Sequence, residues 1–298
     1  MIYTVTFNPS LDYIMRLHTF QPNGVNRTYD DFIVAGGKGI NVSIVLRHLG
    51  HDNTALGFIA GFTGDEIIRQ VKQEGCKEAF VRLKTGTSRI NVKLKSQGET
   101  EINAQGPTIT EEDVATLYQQ LDSLVDGDIL ILSGSIPKGL PNTMYRQIME
   151  RLQTRKIQII VDATQDLLMN VLAYKPFLIK PNHHELESVF NTTFETEEDI
   201  IKAARQLQAK GARNVLVSRA GDGAILLDEH GQVRTKKVPQ GTLVNSVGSG
   251  DSMVAGFLAG YLESKGDYDK ALAMGVAAGS ASAFQEWLAN RADIEALL

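Results

Sequence analysis

One cysteine, Cys76, is all that the chain of 298 residues has, so it can form neither an internal disulfide nor a cysteine-rich metal site. Histidine supplies no metal centre either. Of six, His48 and His51 stand three apart near a helix end and His183 and His184 are adjacent, and neither pair comes with a complete ligand set. No run approaches the ~18 apolar residues of a membrane span. The opening residues 1–7 are apolar but stop at Asn8-Pro9, without the basic start and long apolar stretch of a signal peptide. An excess of positive charge is missing as well. With 30 basic residues against 35 acidic ones the formal charge is −5, which argues against a nucleic-acid binder. A phosphorylated small molecule is still compatible, since a few well-placed cations suffice for it. The expectation is a soluble cytoplasmic protein without nucleic-acid or membrane partners.

What is there points to a layered α/β protein. The length fits one large α/β domain about as well as two ordinary ones, and 43% hydrophobic residues supply a sizeable core. From about residue 54 onward, short apolar runs alternate with amphipathic stretches. Residues 128–132, 157–161, 177–179 and 214–217 read as buried strands, each brief and almost continuously apolar. Residues 110–125, 142–155 and 196–210 read as helices. Thr110 with Asp113, and Thr196 with Asp199, mark two helix starts by a hydroxyl followed three residues later by an acid. Such alternation implies a largely parallel sheet covered on both faces.

Two segments, 11–35 and 87–105, break that rhythm. Strands are expected over 13–17, 29–34, 90–94 and 100–103 with no helix between them. In Ile90-Asn91-Val92-Lys93-Leu94-Lys95 the apolar residues fall on one face and the polar ones on the other, so the polar face is expected to be wet. Together these segments would build a small β sheet, a lid beside a core made of residues 1–10, 36–86 and 106–298.

The strongest chemical signal is Asn245-Ser-Val-Gly248-Ser249-Gly250-Asp251-Ser252, which opens onto a helix whose apolar face is Val254, Phe257, Leu258, Tyr261 and Leu262. A glycine turn at a helix start lets consecutive N–H groups converge where the helix adds partial positive charge, which makes an anion hole. A carboxylate there would repel a merely bound phosphate. It makes sense if Asp251 accepts the proton of an attacking hydroxyl. The local pattern fits equally an Asp that caps a helix after an ordinary turn.

A second turn, Ala35-Gly36-Gly37-Lys38-Gly39-Ile40-Asn41, precedes a helix with Val42, Val45, Leu46 and Leu49 on one face. Three glycines allow close approach of backbone to ligand, and Lys38 and Asn41 add a charge and an amide. The Gly-x-x-x-x-Gly-Lys-Ser/Thr phosphate loop and the Gly-x-Gly-x-x-Gly dinucleotide fingerprint are both absent. Lys180-Pro181-Asn182-His183-His184-Glu185 follows a buried strand, where ligands gather in α/β sheets. Asn182 and Glu185 there read either as ligands of magnesium-bound water and phosphate or as a surface cap. Ser218-Arg219-Ala220-Gly221-Asp222-Gly223, also after a strand, reads either as support for a nucleotide or as a hairpin turn.

In this order and spacing, Gly-Gly-Lys-Gly-x-Asn, Lys-Pro-Asn-x-x-Glu and Gly-Ser-Gly-Asp resemble the ribokinase/phosphofructokinase-B family of carbohydrate kinases. The likeness covers essentially the whole chain, including Asn8-Pro9-Ser10-Leu11-Asp12. Thr87-Ser-Arg89-Ile-Asn91-Val and the stretch from Asn245 to Met253 are most similar to the branch acting on fructose 1-phosphate, with the tagatose 6-phosphate branch next.

The resemblance implies a ribokinase-like α/β fold, a mostly parallel central sheet with helices on both faces and a small β-sheet lid. It implies transfer from ATP, with Mg2+, to a phosphorylated ketohexose. Asp251 would be the general base, and the amides of Gly248, Ser249 and Gly250 the anion hole. Asp12, Arg27, Gly37, Lys38, Asn41 and Arg89 would hold the sugar phosphate. Lys180, Asn182, Ser218, Arg219, Gly221 and Gly223 would line the ATP side, with Glu185 holding magnesium through water. A homodimer through the lid would follow as well. Two departures stand out. Many family members have Asp where Asn245 stands, which bears on any monovalent-cation site. Many have Gly where Ala220 stands, which bears on the backbone amides near ATP.

An Asp of ordinary pKa, ~3.9, is too weak to deprotonate an alcohol beforehand, so proton transfer to Asp251 is expected late, as the O–P bond forms. Positioning and electrostatic stabilisation would supply most of the acceleration, and a closing lid would exclude water as a competing acceptor. Two other classes set the contrast. A non-catalytic sugar-phosphate sensor would have no need of Asp251, and an oxidoreductase would need the missing dinucleotide fingerprint.

Overall fold

The computed structural model describes all 298 residues. In chain order, β1 (Ile2–Thr6) enters a large sheet, β2 (Ser10–Arg16) and β3 (Asp30–Gly36) leave it for a small one, and α1 (Lys38–His48) returns. Then come β4 (Asn53–Ile59), α2 (Gly61–Gln73) and the short β5 (Lys77–Glu78) and β6 (Val81–Arg82), before β7 (Arg89–Lys95) and β8 (Glu99–Ile102) complete the small sheet. Alternation follows: α3 (Glu111–Asp122), β9 (Ile129–Ser133), α4 (Met144–Leu152), β10 (Gln158–Asp162), α5 (Gln165–Met169), β11 (Leu178–Ile179), α6 (His183–Phe190) and α7 (Glu197–Ala209). The chain ends with β12 (Asn214–Ser218), β13 (Ala224–Leu227), β14 (Val233–Lys236), α8 (Ser249–Glu263), α9 (Tyr268–Ala283) and α10 (Arg291–Glu295).

The large sheet runs β14-β13-β12-β11-β10-β9-β1-β4-β5, with β6 also on β4. Its pairs are parallel except β12–β13 and β13–β14. Neighbouring residues of one strand go to opposite cores. Ile129 and Ile131 join a cluster of 39 buried residues on one face, and Leu130 and Leu132 a cluster of 35 on the other. Both faces are therefore covered to a similar extent, which is why the strands read as unbroken apolar runs. The four strands expected in this sheet lie within one residue of those observed, while the lid strand expected over 13–17 starts three residues earlier, at Ser10. Both expected capping boxes form: Thr110 and Asp113 at the start of α3, Thr196 and Asp199 at the start of α7.

The small sheet runs β3-β2-β7-β8, parallel between β2 and β7 and antiparallel elsewhere. Here the wet face is not the polar one at every position, although Leu94 on the apolar face is buried. The polar residues of β7, Asn91 and Lys93, are buried, while apolar Ile90 on the other face is exposed. The polar row is satisfied within its own face of the sheet, where Asn91 Nδ2 donates to Asp12 Oδ1 at 2.9 Å and Lys93 pairs with Glu101 at 2.8 Å, and it reaches the core through Lys95, whose Nζ donates to Asn245 Oδ1 at 3.0 Å. The register aligns Ile33, Tyr13, Val92 and Ile102 in a row across all four strands on the outer face.

Helix α8 packs on α9 almost backbone to backbone. A Cβ on Gly256 would lie 2.5 Å from the Met274 carbonyl oxygen and 2.6 Å from Ala278 Cβ. That contact, with the burial of Val254, Phe257 and Leu258, fixes α8 and therefore the turn at its N-terminus.

Candidate active site

Three adjacent strands, β10, β9 and β1, place Asp162, Ser133 and Thr6 side by side at their carboxyl ends. That is where an open α/β sheet offers a crevice. A cavity of about 230 Å3 opens there, lined by Thr6, Asn8, Lys38, Arg89, Asp162 and Thr164 among others. Thr6 Oγ1 and Ser133 Oγ are buried without a hydrogen-bond partner. Folded proteins rarely leave such atoms unpaired, so the cavity floor suits a polar ligand.

Beside this floor the chain enters α8. Gly248, at φ 80°, takes the left-handed conformation a side chain disfavours, and a Cβ there would lie 2.7 Å from Leu288. Asp251, in the first turn, is buried, and α1 reaches it across the fold: Asn41 Nδ2 donates to Asp251 Oδ2 at 2.8 Å. Burial lifts the Asp251 pKa to about 6, with Asp162 adding repulsion, against the opposing pull of Lys38, the Asn41 hydrogen bond and Lys180. The Asp251 carboxylate, expected at an ordinary value, is therefore the more basic group.

Asp162 stands between two ammonium groups, with Lys38 Nζ 3.3 Å from Oδ2 and Lys180 Nζ 3.4 Å from Oδ1. Burial acts to raise its pKa, but Lys180 and Lys38 outweigh burial and hold it low. Lys38 in turn is held high by Asp162 against the cost of burial, with Asp251 and Glu185 adding to the effect. Lys180 also borders the glycine turn, since a Cβ on Gly250 would lie 3.3 Å from its Nζ. Sequence reasoning passed over Asp162. The signal was available, as it is a charged residue directly after a buried strand, where the same rule had picked out Lys180.

Of the residues expected on the sugar side, Asp12, Gly37, Lys38, Asn41 and Arg89 lie about the same crevice. Asp12 is buried, accepting from Ser10 Oγ at 2.7 Å and Asn91 Nδ2 at 2.9 Å. A Cβ on Gly36 would strike its carboxylate at 2.7 Å, and Gly37, at φ 121°, turns the chain into α1. Arg89 donates through Nε to the Asn8 carbonyl at 3.0 Å; burial lowers its pKa, partly offset by Asp12, yet a guanidinium stays charged. Arg27 lies apart, exposed on the connection between β2 and β3.

On the other side Asn182 and Glu185 form a reciprocal capping box at the start of α6, each accepting at 2.8 Å from the other's backbone N–H. Ser218 bridges to Asn182, so the two loops adjoin. Arg219 turns to Glu197 at 2.6 Å. Ala220 itself takes a left-handed conformation, φ 46°, with Gly221 following in the same 3-10 turn. Gly223, at φ 87°, sits where a Cβ would overlap the Lys236 carbonyl oxygen at 2.0 Å. Alongside runs a second cavity of about 340 Å3, lined by Lys236, Lys237, Pro239, Ala273, Val276 and Ala277 together with Leu297. Asn245, ahead of the glycine turn, is buried; its Oδ1 accepts from Lys95 Nζ at 3.0 Å and its Nδ2 donates to the Glu286 carbonyl at 2.9 Å.

A buried carboxylate at a glycine turn, facing lysines across a polar crevice, defines a phosphotransferase site, and comparison with known proteins gives the family. The chain belongs to the pfkB family of carbohydrate kinases, whose sequence description matches residues 5–293. It is 45% identical to 1-phosphofructokinase of Bacillus subtilis (strain 168), over 100% of this chain and 97% of that protein. It is 38% identical to D-tagatose-1-phosphate kinase of Bacillus licheniformis, over 97% of this chain and 95% of the relative. Escherichia coli phosphofructokinase-2, solved in complex with substrates and products, superposes with a TM-score of 0.94 at 29% identity, over 99% of this chain and 97% of that one. The fold is ribokinase-like, as the resemblance implied, and the protein is a sugar kinase. No helix is long and apolar enough to cross a membrane.

Proposed function

We propose that the protein transfers the γ-phosphoryl group of ATP to the free primary hydroxyl of fructose 1-phosphate, giving fructose 1,6-bisphosphate. The observation that carries this reading is Asp251, buried at the glycine turn, held by Asn41 and faced by Lys38 and Lys180. With a pKa of about 6 it is largely ionised at neutral pH and a better proton acceptor than an exposed carboxylate. It would take the hydroxyl proton as the O–P bond forms. The amides of Gly248, Ser249 and Gly250, with Lys180 alongside, would stabilise charge on the transferring group. Arg89 and Lys38 would anchor the sugar's own phosphate, while Asp12 and Asn91 meet its ring hydroxyls.

Lys180, Asn182 and the 218–223 turn would line the ATP side, and the apolar slot at Val276 and Ala277 suits a planar base. Magnesium fits the donor set. Glu185 would hold it through water, since one of its carboxylate oxygens is left over from its cap, whereas both oxygens of Asp162 already face lysines. When bound, the ion would neutralise phosphate charge. The small sheet would act as the lid, and its outer row of Ile33, Tyr13, Val92 and Ile102 would pair with a second copy. Ile33 and Ile102 are 46% and 58% exposed there, an uncovered apolar surface of the kind that marks an interface.

A second acceptor, tagatose 1-phosphate, is favoured by the name of the 38% identical relative. It shares the 1-phosphate and the free primary hydroxyl with fructose 1-phosphate and differs in the stereochemistry of one ring hydroxyl. The deciding experiment is ADP release with ATP and magnesium across fructose 1-phosphate, tagatose 1-phosphate, tagatose 6-phosphate, fructose 6-phosphate and the free sugars. The highest kcat/KM is expected for fructose 1-phosphate. A higher value for a tagatose phosphate would move the substrate and keep the mechanism. Binding without any turnover would make the protein a sensor.

A further inference from the structure

Strands β2 and β7 touch the site at both ends. Their first residues carry Asp12, Arg89 and Asn91 on the acceptor side. Their last residues, Arg16 and Lys95, are partners in register and lie on the same inner face. Each reaches a different loop of the core. Lys95 Nζ donates to Asn245 Oδ1 at 3.0 Å, and Arg16 pairs with Glu286 at 2.8 Å. Those loops are themselves tied: Asn245 Nδ2 donates to the Glu286 carbonyl, and the Val244 and Asn245 amides donate to the Ala283 carbonyl at 2.9 and 3.1 Å. The Val247 amide closes on the same Asn245 Oδ1 at 3.3 Å, one residue before Gly248.

We infer that Lys95 is a positioning residue, a latch through which the lid sets the geometry of the 248–250 turn when the acceptor is bound. The inference rests on the proposed kinase reading. Asn245 is buried and uses both lone pairs of Oδ1, one for the lid and one for the turn. Removing the lysine frees the oxygen that orients Val247 and leaves a buried amide underpaired. The Arg16–Glu286 pair is a weaker partner, since Glu286 is largely exposed and Arg16 is shared with Asp30 at 2.6 Å. Lys95 touches no reacting atom; it acts through Asn245. The consequence is that acceptor binding at one end of β7 and anion-hole order at the other are linked, so ATP is not committed to transfer until the sugar phosphate has ordered the lid.

The test uses Lys95→Met and Lys95→Arg, with Lys84→Met as a surface control. Lys95→Met should lower kcat about tenfold with the acceptor KM within about twofold, Lys95→Arg should recover most of it, and Lys84→Met should match wild type. Hydrogen exchange with added fructose 1-phosphate supplies a readout that loss of fold would not mimic. In wild type both the Arg89 strand and the amides of residues 247–251 should gain protection. In Lys95→Met only the strand should. Unchanged kcat, or protection of the turn in Lys95→Met, overturns the latch. If fructose 1-phosphate protects nothing in wild type, it is the substrate reading that fails. The latch is then judged by a thermal-unfolding cycle of Lys95→Met and Asn245→Ala without ligand, where less-than-additive losses support it and additive losses overturn it.

Discussion

Asn41 and Asp251, 210 positions apart, meet at 2.8 Å, and their contact joins the two glycine turns into one site. Asn41 lies in the helix that follows Gly37, and Asp251 in the helix that follows Gly248. The amide donates to the carboxylate, so it stabilises the ionised form and fixes the free oxygen's direction. The Oδ1 of Asn41 is buried and unpartnered, available to a ligand hydroxyl beside the base.

Asp251→Asn should retain nucleotide and sugar-phosphate binding and lose turnover by about 10³-fold or more, within the usual range for a general base that also orients its substrate. In the wild type, kcat/KM should rise with pH through an apparent pKa of about 6 as Asp251 ionises, then level off. Stopped-flow or coupled assays from pH 5 to 8 would show this. A profile flat down to pH 5 would remove Asp251 from the role of base.

Asn41→Leu keeps the volume and deletes the hydrogen bond. Because that bond lowers the Asp251 pKa, its loss should move the acid limb of the pH profile to higher pH and reduce kcat at neutral pH. An unchanged limb would mean that the contact plays no part in tuning the base.

Asp251 also makes a prediction for stability. Its folded pKa is raised from an ordinary 3.8 to about 6. The folded state therefore holds the proton more tightly, and the stabilising contribution is complete below the unfolded value and lost as pH rises through about 6. Above that, the ionised, buried group costs stability. Asp251→Asn should accordingly raise Tm at pH 8, on the order of 5 °C, and by less at pH 5. Scanning calorimetry at both pH values checks the sign, and a variant less stable than wild type at pH 8 would contradict it.

The outer face of the lid should hold two copies together. Val92→Glu with Ile33→Lys should shift the sedimentation coefficient from dimer to monomer and leave the melting temperature nearly unchanged, because Ile33 is exposed and Val92 only half-buried. A wild type that sediments as a monomer at micromolar concentration would rule the interface out.

Local chemistry made much of this legible beforehand. The capping boxes of α3 and α7 and the short apolar runs of β9, β10 and β12 depend on nearest neighbours and on burial of both sheet faces, which leave a mark in a few consecutive residues. The glycine turns at Gly37 and Gly248 were legible because a left-handed backbone needs glycine. Local residue chemistry carried the alternation of strands and helices over the second half of the chain, the two turns and the candidate base, though not the short β5 and β6 or the edge strands β13 and β14. Tertiary structure decided the rest. A period of two told that β7 has two faces, yet not that Asn91 and Lys93 on the polar one would be buried while Ile90 on the apolar one stayed exposed. That Arg219 pairs with Glu197 and that Arg27 stays exposed is not carried by their neighbours in sequence, and Asp162 matters because β10 ends between Lys38 and Lys180. The strength of the base was decided last of all. Desolvation and Coulomb terms sum over everything within several ångströms, and for Asp251 those groups come from α1, β10 and the end of β11, which only folding brings together.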